Sequence, residues 1–260
     1  MKFRPCIDIH DGRVKQLVGG TLADKTAGAA TAVENFVSDK SAADFARMYQ
    51  KDGLRGGHVI ALNAAGNPHY EASMQQALDA LAVYPGGLQF GGGVNAENAA
   101  GYLDAGASHV IVTSFVFQKG EIHYENLRSL VRVVGKNRLV LDLSCRRRGD
   151  VYFIVTDRWQ TFTDVAVNAN TLTELAAYCD EFLVHAVDAE GRQAGIDERL
   201  AGILGAWGKL PVTYAGGVGS YIDLEKLDAA GHGRLDVTVG SALDIFGGRL
   251  SYEKIVLKYQ

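Results

Sequence analysis

The sequence predicts an α/β fold, a single (β/α)8 (TIM) barrel over residues 1–260, and three observations carry that expectation. Eight short β-rich runs alternate with eight longer stretches of helical period, as in a parallel sheet wrapped in helices. The 260 residues match the ~250 that eight such units occupy. A doubly wound sheet is the competing architecture, but no segment is left over for a second domain. Third, several motifs recur in the same order at about half the chain length.

The first apolar run, 3–9, is followed by a long polar loop, 18–38, containing Gly19, Gly20 and Gly28. Loops of that length are either surface insertions or substrate lids, and both readings are open. A helical period then covers 42–51, a strand run 57–62 and a helix 70–82. The third and fourth units pair 87–90 with 96–105, and 109–112 with 124–134. The fifth and sixth pair 138–143 with 171–179, and 181–186 with 198–207. The last two pair 211–214 with 220–229, and 236–239 with 252–259. Each strand assignment rests on a short β-rich run and each helix on 3.6-residue apolar spacing.

The repeat divides this series in two. Asp8 in CIDIHDGRV and Asp142 in VLDLSCRRRGDV lie 134 positions apart. Gly92 in QFGGGV and Gly216 in TYAGGV are 124 apart, and Ser114 in VIVTS and Ser241 in VTVGS are 127 apart. Half the chain is 130 residues. Three signals in register imply two (β/α)4 halves, approximately 1–134 and 135–260.

Composition narrows the class of function. Hydrophobic residues at 47% and charged residues at 22% support a large core and exclude wholesale disorder. A formal charge of −4 offers no basic field for nucleic acid. Three cysteines, Cys6, Cys145 and Cys179, are an odd number without CxxC spacing, which suits a reducing compartment. No apolar run reaches the ~18 residues of a membrane span, and MKFRPCIDIHDGR has no signal-peptide apolar region. A cytoplasmic protein, a monomer with no membrane or nucleic-acid partner, is the expectation.

The chemistry-bearing residues follow from strand alternation. Asp8 shares a face with Cys6 and His10, whereas Ile7 and Ile9 face the other way. Asp142 likewise shares a face with Val140 and Ser144. Alone, either aspartate reads as a turn or cap residue. Together, at matching places in two half-barrels and at the strand ends where barrel enzymes keep their chemistry, they read as an acid–base pair.

The 31 glycines against 4 prolines cluster in short tracts. Gly91, Gly92 and Gly93 end the third strand, and Gly216 and Gly217 the seventh. Glycine lets backbone N–H groups close around an anion, with a following helix N-terminus adding potential. Ser114, and Gly240 with Ser241, complete the two sites. Two such cradles on opposite sides of the barrel mouth imply an elongated bisphosphate ligand.

Weaker candidates are Arg146, in the run 146–148, as an anion contact, and Trp159 as a cover for a flat heterocycle. A solvated hairpin and helix packing are their respective alternatives. The seven histidines form no HExxH pair or ligand cluster, so no metal is expected.

The segments CIDIHDGRVKQLVGGTL, LQFGGGV, VIVTS, LDLSCRR, YAGGV and VGSALDIFGG together resemble the ProFAR isomerase family of histidine biosynthesis, especially its eukaryotic form. The resemblance runs through nearly the whole chain. It implies a duplicated half-barrel that binds a bisphosphate and performs an Amadori rearrangement of an aminoaldose to an aminoketose, with no metal or organic cofactor. It puts Asp8 at the general-base position, taking the C2 proton, and Asp142 at the general-acid position, protonating the furanose ring oxygen.

Three departures bear on the substrate grip. The strand-six end reads Val184-His185-Ala186-Val187-Asp188, without the threonine of many bacterial members, so His185 is either a substrate contact or a strand histidine. After the GGG tract stand Val94-Asn95 in place of Ile-Arg, and strand two ends Ala61-Leu62-Asn63 without its usual aspartate. The rival readings are the cyclase subunit of imidazole glycerol phosphate synthase, which requires ammonia, and a phosphosugar-binding barrel without turnover.

Overall fold

The eight expected strands form in the computed structural model, which describes residues 1–17, 34–157 and 159–260. They are Cys6–His10 (β1), Gly57–Ala61 (β2), Leu88–Gly91 (β3), Val110–Val112 (β4), Leu139–Asp142 (β5), Glu181–His185 (β6), Val212–Ala215 (β7) and Leu235–Thr238 (β8). Neighbours pair in parallel in chain order from β1 to β8. A parallel bridge between Phe3 and Val237, with Arg4 N donating to Val237 O at 2.8 Å, joins the two ends of that sheet.

Helices follow at Ala42–Lys51 (α1), Tyr70–Val83 (α2), Ala99–Asp104 (α3), Tyr124–Val134 (α4), Ala169–Leu175 (α5), Glu198–Trp207 (α6), Tyr221–Ala230 (α7) and Tyr252–Tyr259 (α8). Their starts are set by caps. Ser41 and Ser220 form capping boxes with Asp44 and Asp223, and Asn168 accepts from Asn170 N and Thr171 N. Asn95 explains why α3 begins later than the period suggests. Its side chain accepts from Glu97 N and Asn98 N, holding a turn where the helix was expected to start.

Strand alternation sorts the core into two parts. Leu141, Phe182, Val184 and Phe90 face outward into the layer beneath the helices, which forms the main apolar cluster. Val140, Ile111 and Leu183 form a separate small cluster, with Ile60 packed against it, inside the barrel. Asp142 lies two residues beyond Val140, and His185 two beyond Leu183, so both continue the inward face toward the C-terminal mouth.

Three additions decorate the barrel, and the sequence anticipates only the hairpin at 146–148. Arg13–Leu17 turns back antiparallel on β1 and pairs with Glu34–Val37, so the polar loop 18–38 ends in a strand. Residues 18–33 of that loop lie outside the described residues. Cys145–Arg148, Val151–Thr156 and Thr161–Ala166 make a three-stranded antiparallel sheet after β5. Phe117–Gln118 and Glu121–Ile122 form a small hairpin. The three cysteines are free and buried.

Candidate active site

A cavity of about 880 Å³ opens where the C-terminal ends of β1 to β6 meet, and both Asp8 and Asp142 line it. Its floor is the small inner cluster, represented by Ile60 and Ile111, and its walls include the tract 91–93, Ser114, His185 and Trp159. Trp159 comes from the tip of the three-stranded sheet, its ring 5.6 Å from that of His185.

The two aspartates occupy different electrostatic settings. Gln16 Nε2 donates to Asp8 Oδ2 at 3.2 Å. Burial, reinforced by the Glu190 carboxyl, pushes the Asp8 carboxyl up to about 6 against the opposing pull of His185 and Gln16. Asp142 Oδ1 instead accepts from Ser144 N at 2.8 Å and Ser144 Oγ at 2.7 Å, and lies 3.5 Å from His185 Nδ1. Burial opposes its ionisation, but His185 and Ser144 outweigh it, and the carboxyl falls below its ordinary value. Burial also works against a charged His185. The Asp142 carboxylate overrides it, with Glu190 and Asp8 adding to the effect, and the imidazole rises to about 9. Beneath it His58, buried and facing that cation at 6.0 Å between ring centroids, drops to about 3.

The glycine tracts sit at equivalent places. Gly92 has φ +132°, and a Cβ there would come within 2.5 Å of Ala61 O at the end of β2. Gly216 has φ +116°, with Ala186 O, just past β6, 2.9 Å from the same imagined atom. In each half the tract bends over the carbonyl ending the preceding strand, and only glycine allows both the φ and the approach. Around Gly93 a Cβ would meet nothing within 4 Å, so the first cradle is open. The second, formed by Gly216, Gly217, Gly240 and Ser241, encloses about 30 Å³. Gly195 N donates to Gly217 O, and Gln193 Nε2 donates to Ser241 O at 2.9 Å, so the segment after β6 covers it.

Helix ends contribute less than the glycine spacing suggests. At α7, Asp223 accepts from Gly219 N and Ser220 N, so that terminus is occupied by its own cap. Loop N–H groups are the donors that remain. No arginine or lysine lines either cavity among the described residues. Arg146 pairs with Asp188 at 2.8 Å, and both Arg146 and Arg148 lie over the Phe162 ring, so the 146–148 run is held outside the cavity on its hairpin. Asn63, where the family resemblance leads one to expect an aspartate, ties the mouth together. Its Oδ1 accepts from Asp11 N and Ser73 Oγ.

Two site residues escaped the sequence reading. Glu190, five positions after His185 on the covering segment, lines both cavities, and burial raises its carboxyl against the pull of His185. Its placement before Gly191 in DAEGRQAG was the available signal. Gln16 is a polar residue buried in the ribbon Arg13–Leu17 beside Val14 and Leu17, a pattern that alternation alone does not explain.

Residues 2–250 match the family model described as histidine biosynthesis protein. The chain belongs to that family. It is 56% identical over 257 residues to the chloroplastic 1-(5-phosphoribosyl)-5-((5-phosphoribosylamino)methylideneamino)imidazole-4-carboxamide isomerase of Medicago truncatula, covering 98% of this chain and 81% of that one. Isomerases of the same name from Neurospora crassa and Saccharomyces cerevisiae are 46% and 44% identical, covering 95% and 96% of this chain and 94% of each relative. Family membership bears out the barrel architecture expected from the alternating units.

Proposed function

We propose that this protein is the isomerase its relatives are named for, converting ProFAR, an aminoaldose with a phosphate at each end, into the corresponding aminoketose. The observation that carries the reading is the pairing of Asp8 and Asp142 on one cavity with opposite electrostatic settings. An aldose–ketose rearrangement needs one group that gives a proton and one that takes it: His185, held protonated by the Asp142 carboxylate, has one to give, and Asp8, ionised above about pH 6, takes one.

The Asp142–His185 pair delivers a proton to the furanose ring oxygen. The C1–O bond breaks, the ring oxygen becomes a hydroxyl, and the glycosidic nitrogen's lone pair forms the Schiff base. Asp8 then removes the C2 proton, and the electron pair moves to neutralise the iminium nitrogen, giving an enolamine. Tautomerisation places a proton on C1 and leaves a ketone at C2. No atom is gained or lost.

The glycine cradles hold the terminal phosphates through backbone N–H groups, joined by Ser114 on one side and Ser241 on the other. Trp159 stacks over the imidazole heterocycle. The protein works in a cytoplasmic setting, as a monomer. Among the described residues no helix is long and apolar enough to cross a membrane.

The test is to mix purified protein with ProFAR, adding neither ammonia nor metal, and follow conversion. Turnover without ammonia supports the isomerase and separates it from the cyclase. Tight binding without conversion would establish a phosphosugar-binding barrel instead.

A further inference from the structure

Gln16 stands where three elements meet. Its strand, Arg13–Leu17, folds back on β1 with Ile9 opposite Val14, which brings the carboxamide against the β1 side chains. Nε2 donates to Asp8 Oδ2 at 3.2 Å and lies 3.8 Å from Cys6 Sγ. A Cβ built on Gly240, just past β8, would fall 2.2 Å from Gln16 Oε1. The missing side chain at Gly240 is therefore the space the amide occupies. The residue is only 3% exposed, so the protein buries a long polar side chain where an apolar one of similar length would fill the same volume.

We propose that Gln16 is a positioning residue for Asp8, fixing the carboxylate so that Oδ2 is engaged and the substrate proton passes to Oδ1. The inference rests on the reading of Asp8 as the base. A neutral amide suits the task. A cation there would make Asp8 a weaker base, and an apolar side chain would leave one oxygen without its donor. Other titratable groups facing Asp8 are Cys6 from its own strand, His185 from β6, Glu190 from the covering segment and Tyr49 from α1, whose hydroxyl donates to Cys6 O at 3.0 Å. Gln16 and the Cys6 thiol are the neutral donors of the set, and the amide is the stronger of the two. The same amide connects the base to the second anion cradle, because Gly240 belongs to both.

The experiment compares wild type with Gln16→Met, which keeps length and removes the donor, and Gln16→Glu, which keeps shape and adds a second carboxyl. Circular dichroism confirms folding of each. We expect kcat at pH 8 to fall about tenfold in Gln16→Met through lost orientation, with KM within about threefold. The acid limb of kcat/KM moves upward by about half a pH unit, and farther in Gln16→Glu. Acid limbs that superimpose on wild type would overturn the assignment. Should a variant have no measurable turnover, carbon-13 NMR titration of the Asp8 carboxyl decides. A midpoint above wild type supports positioning, and an unchanged midpoint contradicts it. That titration needs no turnover, so failure of the isomerase reading and failure of the Gln16 assignment give different results.

Discussion

Asp8 and Asp142 carry the same side chain into one cavity, and their surroundings separate them. With its folded value near 6 against an ordinary 3.8, Asp8 holds a proton more tightly when folded than unfolded. Its contribution to stability is full below pH 3.8 and is lost as the pH rises through 6. At pH 7.5 the ionised carboxylate works against folding. Asp8→Asn is therefore expected to raise the unfolding free energy there by about 2 kcal/mol, with the gain disappearing near pH 4. Urea titrations at the two pH values measure this.

Asp142 gives the opposite sign: its lowered carboxyl contributes stability present above its ordinary value and lost as the pH falls, whereas His185 follows Asp8 in direction. The imidazole, raised to about 9, contributes stability present below its ordinary value and lost as the pH rises through 9. Asp142→Asn should lower stability at pH 7.5 by about 2 kcal/mol. Both substitutions should reduce kcat by about 10²- to 10⁴-fold while leaving bisphosphate affinity nearly intact. Near-normal rates in either variant would remove that residue from the mechanism. The acid limb of kcat/KM should lie near pH 6, where Asp8 gains its proton.

At the scale of elements, the two glycine tracts and the three-stranded sheet each make a separate claim. Gly92→Ala and Gly216→Ala put a Cβ against a strand-end carbonyl at a positive φ, and each should weaken substrate binding about tenfold or more. The losses should belong to opposite ends of the ligand. An analogue lacking one phosphate should be sensitive to one substitution and nearly indifferent to the other. Equal sensitivity to both would contradict two separate cradles. Trp159→Ala removes the stacking surface and should raise KM about fivefold with little change in kcat, read from initial rates.

The elements also show what a sequence reading reaches. Strand and helix positions were legible because apolar periodicity reports burial locally, and the two aspartates because strand alternation puts them on the inward face. The sequence offers a hairpin at Arg146, Arg147 and Arg148, but the third strand, Thr161–Ala166, was hidden. Arg148 lies over Phe162, a contact between separate strands that no single-segment pattern records. Gln16 and Glu190 were hidden for a related reason. Each acts on Asp8 from another segment, and no spacing within one segment records such a meeting.

Across the whole molecule, motifs that recur in the sequence stand on strands at matching intervals. Asp8 lies in the middle of β1 and Asp142 ends β5, four strands apart, and the glycine tracts close β3 and follow β7, also four apart. The halves nonetheless differ in state. The first cradle opens into the large cavity, whereas the second is covered by Gln193 and the segment around Gly195. The second cradle is therefore the narrower of the two, with a cavity of about 30 Å³.

The most direct measurement is a crystal structure of Asp8→Asn bound to ProFAR. The arrangement described predicts one terminal phosphate in each cradle and the sugar C2 within about 3.5 Å of the position-8 side chain, with the ring oxygen on the Asp142 side. Phosphates outside the cradles, or a C2 facing neither carboxyl position, would contradict it.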